Sequence, residues 1–76
     1  MNKQRRKEID AIIERLETLK GDIESVYDDE EMYRDGIPES MTEKYEVADN
    51  ACTALDDAMS AVDDAIEQLT TARNGD

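Results

Sequence analysis

Apolar residues recur along this chain at alternating steps of three and four. In the first half they fall at Ile9, Ile12, Leu16, Leu19, Ile23, Val26 and, after one gap at Glu30, Tyr33. That spacing keeps one stripe in line on an α-helix and is the seam of a heptad coiled coil. Ile13 and Tyr27 flank the stripe, and Gly21 falls opposite it, where it costs about 1 kcal/mol relative to alanine. The pattern predicts one helix over about residues 2–33.

The stretch "YRDGIPESMTE" predicts the interruption and the restart. Gly36 suits the left-handed position just past a helix end, and Pro38 cannot continue the helix. Ser40 with Glu43 three residues on reads as a capping box for the next helix. A second seam follows at Met41, Tyr45, Ala48, Cys52, Leu55, Met59, Val62, Ile66 and Leu69, predicting a helix over about 41–73 and a frayed tail over 74–76. Folded back antiparallel, Ile9 meets Ile66, Leu16 meets Met59 and Ile23 meets Cys52. The expected fold is all-α: a single domain over 1–76, an antiparallel two-helix hairpin with a turn over 34–40 and helices about 50 Å long at 1.5 Å per residue.

A 76-residue chain buries little surface, and small scaffolds usually recruit a disulfide, a metal or a partner. Cys52 is the single cysteine, which excludes an internal disulfide, and a chain without histidine makes a poor zinc ligand set. Association, with itself or with another protein, is the remaining remedy. The residues 54–67, "ALDDAMSAVDDAIE", repeat a seven-residue unit and show where it would occur. Ala51, Ala58, Ala65 and Ala72 recur every seven residues beside the seam, with Ala54 and Ala61 just beyond. They widen the apolar arc to about four of seven heptad positions, more than one partner helix covers. One reading is that alanine, the best helix former, simply fills these places. The other makes them a close-packed interface that dimerises the hairpin into a four-helix bundle.

Charge is divided unequally. The net charge is −12, yet "MNKQRRKE" opens with Lys3, Arg5, Arg6 and Lys7. Cations at a helix N-terminus oppose its dipole, so Arg5, Arg6 and Lys7 are expected to bridge to Glu67 and Asp64 at the neighbouring helix's end, or else to form a contact patch. The acidic remainder disfavours direct nucleic-acid binding and an anionic membrane surface. No stretch is long and apolar enough to span a membrane, so the chain is expected to be a soluble cytoplasmic protein. Asp56, Asp57, Asp63 and Asp64, with Asp28, Asp29, Glu30 and Glu31, are the candidate partner-binding acidic face. Their plain alternative is a solvated, solubilising surface. The excess charge amounts to about one per 3 Å of rod, near the 3.4 Å spacing along a DNA strand, so such a rod can mimic nucleic acid and enter a basic groove.

Catalytic chemistry has little to stand on. Nucleophilic catalysis needs a base beside the nucleophile, and Cys52 lies in the seam, where it reads as a small core residue. A calcium loop with Gly36 at its sixth place would put Tyr33 and Thr42 at ligand positions. A di-iron site needs histidine. No catalytic residue, cofactor or metal is expected.

The opening "NKQRRKEI", the turn "IPES" and the second-half "LDDAMSAVDDAIEQL" together resemble small acidic helical-hairpin proteins predicted in phages and prophages of Firmicutes bacteria. The likeness implies a phage-type accessory protein in the cytoplasm of a bacterial host. The expected function is a non-enzymatic interaction module that binds and inhibits a nucleic-acid-handling or defence protein through the acidic face. The alternatives are a structural homo-oligomerisation module and an acidic, antitoxin-like neutraliser.

Overall fold

Two long helices account for nearly all of the chain. The computed structural model describes residues 1–75, in which α1 runs Lys3–Asp35 and α2 runs Thr42–Asn74. They pack antiparallel as an elongated hairpin 59 × 15 × 10 Å. Its radius of gyration, 17.4 Å, is well above the about 11 Å of a compact chain of this length. Asp76, the last residue of the expected frayed tail, lies outside the described residues; Asn74 closes α2 and Gly75 caps it in an extended conformation.

Local chemistry sets the ends. The Asn2 side chain accepts from the Arg5 backbone N–H at 2.8 Å, capping α1. Its first turn holds no acid, so Lys3, Arg5 and Lys7 oppose the α1 dipole. The antiparallel partner offsets this, because the negative end of the α2 dipole lies alongside: the Met1 amino group reaches the Gly75 carbonyl at 3.4 Å. The expected bridges from Arg5 and Lys7 to Glu67 and Asp64 do not form among the described residues; an ion pair across the helices at this end joins Arg73 to Asp10.

The turn departs from expectation in two ways. Gly36 is right-handed (φ −87°, ψ −4°), and no described residue has positive φ. The helix continues to Asp35 and tightens there: the Gly36 N–H donates to the carbonyls of Met32 and Tyr33, and the Ile37 N–H to that of Arg34. Pro38, lacking an N–H and disfavouring α geometry at Ile37, stops it. The Ser40–Glu43 capping box is also absent. The Met41 N–H donates to the Pro38 carbonyl at 2.9 Å, so the turn closes one residue late and α2 begins at Thr42 with Met41 as an N-cap whose side chain makes no capping bond. Ser40 is thus out of register, while Glu43 still sits in the first turn, complementing the dipole.

The core is slim. Only Ala48 and Cys52 are fully buried among the described residues. In α2, Leu55, Met59, Val62, Ile66 and Leu69 are half-buried along the expected seam, although Met41 and Tyr45 near the turn are exposed. In α1 the seam is rotated. The partly covered residues are Arg6, Ile9, Ile13, Leu16, Lys20, Ile23, Tyr27, Glu30, Glu31 and Arg34. Ile9, Leu16, Ile23 and Glu30 thus keep their expected place, but Ile12, Leu19, Val26 and Tyr33 turn outward, 39–54% exposed. Ile13, Lys20, Tyr27 and Arg34 face α2 instead. The physical cause lies across the groove: Asp49, Asp56 and Asp63 recur every seven residues on α2, and drawing Lys20 and Arg34 beside them satisfies charge while their alkyl stems cover the seam.

Candidate interaction surface

The rotation of α1 gives the hairpin two unlike faces. On the polar face, Lys20 Nζ meets Asp63 at 2.7 Å and Arg34 Nη1 meets Asp49 at 3.0 Å, while Arg34 Nε also reaches Asp35 at 3.2 Å. Tyr27 stands midway between Lys20 and Arg34, with Asp56 midway between Asp63 and Asp49, so the ladder has two ion-paired rungs with a phenol between them at heptad spacing. A hydrogen bond to Glu31 one turn on, with the charges of Glu31 and Asp56, holds the Tyr27 phenol above its ordinary pKa. The hydrogen bond from Lys20 to Asp63 likewise raises the lysine pKa, against a smaller opposing effect of burial. Bonds to Asp35 and Asp49 push Arg34 higher still.

The opposite face is apolar. Leu16, Leu19, Ile23 and Val26 of α1 and Leu55 and Val62 of α2 line a groove whose exposed wall is wholly apolar, with Asp22 at its rim. The exposed row Ile12, Leu19, Val26, Tyr33 forms one bank. On α2, Ala51, Ala58, Ala65 and Ala72 adjoin Leu55, Val62 and Leu69 on the same side and form the other. Ala51 and Ala58 are half-buried, whereas Ala54, Ala61, Ala65 and Ala72 are exposed. Val47, 71% exposed, extends the row of Ala54 and Ala61. The alanine stripe is therefore one bank of a broader face that takes its large side chains from α1. The outward turn of α1 is what the sequence did not disclose. Its signal was present in Lys20 and Arg34, which stand two heptads apart, as do Asp63 and Asp49, the aspartates they face.

The eight acidic candidates do not make one rail. Asp28, Asp56 and Asp63 line a shallow groove with Lys20 and Glu24 on the polar face, and Lys20 neutralises Asp63. Asp57 and Asp64 point outward in the adjoining row. Asp28, Asp29, Glu30 and Glu31 are consecutive on a helix and so spread around it; Glu30 and Glu31 are partly covered. Among the described residues no three potential ligands gather in a metal-holding group, and no helix is long and apolar enough to cross a membrane. Cys52 is free and buried, and burial pushes its thiol pKa up.

Compared with protein-family models, curated proteins and solved structures, the chain matches none.

Proposed function

We propose that this chain is a non-enzymatic interaction module that works by docking helices against its apolar face. The observation that carries this is the heptad row Ile12, Leu19, Val26 and Tyr33, left 39–54% exposed beside an all-apolar groove. A two-helix hairpin covers one side of each helix. A second apolar side at coiled-coil spacing therefore has the form of an unfilled bundle interface. Monomeric proteins seldom leave a contiguous apolar patch of this kind uncovered.

The net charge of −12 favours a second reading. In it, the outward Asp57 and Asp64, with Asp56, Asp28 and Asp29, dock on a basic groove of a nucleic-acid-handling or defence protein, and a phage-type inhibitor or an antitoxin-like neutraliser in a bacterial cytoplasm results. Ladder pairing weakens this reading, since Asp63, one of the eight acidic candidates, is already committed to Lys20 within the hairpin.

Two variants separate the readings. Leu19→Glu with Val26→Glu charges the apolar face; Asp56→Asn, Asp57→Asn, Asp63→Asn and Asp64→Asn neutralise the acids. Differently tagged copies are co-expressed in bacteria and recovered at low and high salt, with helicity checked by circular dichroism. On the proposed function, association with a second copy or another protein is lost in the folded first variant and kept in the second. Association that survives the two glutamates but falls with the asparagines or with salt overturns it in favour of the acidic reading.

A further inference from the structure

We propose that the occupant of the apolar face is a second copy of this chain, laid head to tail so that the turn of each hairpin sits over the open end of the other. This rests on the reading above and names the partner of that surface. Three observations lead to it.

The first is area. The chain exposes 5717 Å², whereas a compact monomer of 8.6 kDa exposes about 4,700 Å². The excess of about 1,000 Å² matches the about 800 Å² that each partner contributes to a standard stable interface. The second is self-complementarity. A two-fold pairing sets a surface against itself, and this face has banks of two kinds, large aliphatics on α1 and alanines on α2. Two copies stacked face to face complete a four-helix bundle, in which the alanines let the α2 helices approach closely and the aliphatic rows fill the other side.

The third is charge along the face itself, and it selects the orientation. Arg5 heads the same heptad row as Ile12, Leu19, Val26 and Tyr33, and the flanking row that holds Asp22 at the groove's rim also holds Arg15 toward the open end and Asp29 toward the turn. Stacked with turns together, each Arg15 lies about 20 Å along the rod from the partner's Asp29. Stacked head to tail, each Arg15 lies beside the partner's Asp29 and each Arg5 over the partner's turn, so these charges attract. About a two-fold between Leu19 and Val26, α1 crosses its own copy in reverse. Ile12 then meets the partner's Tyr33, and Arg15 comes near the partner's Asp29. Asp22, at the rim of the groove, approaches its own copy, so Asp22→Asn tightens the pair.

The test uses the full chain. Sedimentation equilibrium should give twice the 8.6 kDa chain mass, and Leu19→Ala with Val26→Ala, which leave the hairpin's own seam intact, should raise the dissociation constant about tenfold or more. In a chain carrying Ile12→Cys and Tyr33→Cys, oxidation should then join position 12 of one copy to position 33 of the other. Within one hairpin these positions are about 30 Å apart along α1, so this disulfide is intermolecular. A dimer in which positions 12 and 33 do not join overturns the head-to-tail orientation. A monomer at every concentration overturns self-pairing and leaves the interaction module to bind a different protein. A dimer indifferent to both the alanine and the glutamate changes overturns the apolar face itself.

Discussion

At the scale of single residues, Gly21 and Gly36 behave alike for different reasons. A Cβ added at Gly21 would meet nothing within 4 Å, and the residue is exposed in mid-helix. Gly21→Ala should therefore gain about 1 kcal/mol of helix propensity, raising the melting midpoint by about 4–8 °C. At Gly36 the right-handed backbone is open to any L-residue, and a Cβ would lie 3.6 Å from the carbonyls of Met32 and Tyr33, an ordinary contact. Gly36→Ala should also stabilise, by about 0.4–1 kcal/mol, through the unfolded chain's lost freedom; a fall in the urea midpoint would show that the turn needs left-handed glycine. Cys52 gives a prediction of another kind. Its thiol is buried and its pKa raised, chiefly by desolvation and against the lowering influence of Arg34. The thiolate is the reactive species, so labelling by a thiol reagent in native buffer should proceed only through opening of the hairpin. Labelling at the rate of a free cysteine, while circular dichroism stays helical, would place Cys52 outside the core.

At the scale of the helices, the ladder between Lys20, Tyr27 and Arg34 on α1 and Asp63, Asp56 and Asp49 on α2 fixes how α1 is turned. Arg34 is 20% exposed at its side chain and bonds two carboxylates; Lys20 is 35% exposed and bonds one. Arg34→Ala should accordingly lower the denaturation midpoint more than Lys20→Ala, since screening weakens the more exposed pair. The sign of the pH dependence follows from the shifts. The folded pKa of Lys20 is raised above 10.5 and that of Tyr27 above 10.0, so both groups hold protons in the hairpin that the unfolded chain gives up sooner. Their contribution is complete below those ordinary values and fades as pH climbs through the raised ones. Unfolding midpoints followed from about pH 8 upward should fall more gently in Lys20→Met with Tyr27→Phe than in the parent chain; equal slopes would remove the ladder from the stability of the hairpin. This ladder also explains what was legible in the sequence. Helix type, the hairpin, the turn region and the seam of α2 follow from periodicity alone, because α2 has one strongly apolar side. α1 offers two candidate rows beside Ile9, Leu16 and Ile23, and hydropathy selects Ile12, Leu19 and Val26. Pairing selects the other row, through charges on α2 that a one-helix pattern does not weigh. The alanine row beside the α2 seam is visible in the sequence, whereas Ile12, Leu19 and Val26 read as core by hydropathy and stand 39–54% exposed in the structure.

At the scale of the molecule, two buried residues among those described and a slender outline leave the lone hairpin little apolar burial to set against the entropy of ordering two 33-residue helices. Helices in proteins gain most of their stability from tertiary packing, and here half of the apolar stripe on α1 is left 39–54% exposed. Assembly through that stripe would make folding and association one process, with stability tied to concentration by mass action. For a dimer, each tenfold rise in concentration adds about 1.4 kcal/mol. With an unfolding entropy of about 2.1 cal/mol/K per residue over both chains, the melting midpoint should climb about 4 °C for each tenfold step. Leu19→Ala with Val26→Ala should lower the whole curve, shifting it to higher concentration. A midpoint that stays fixed from micromolar to millimolar protein would mean that one hairpin folds on its own strength, with its apolar face held open for a different protein.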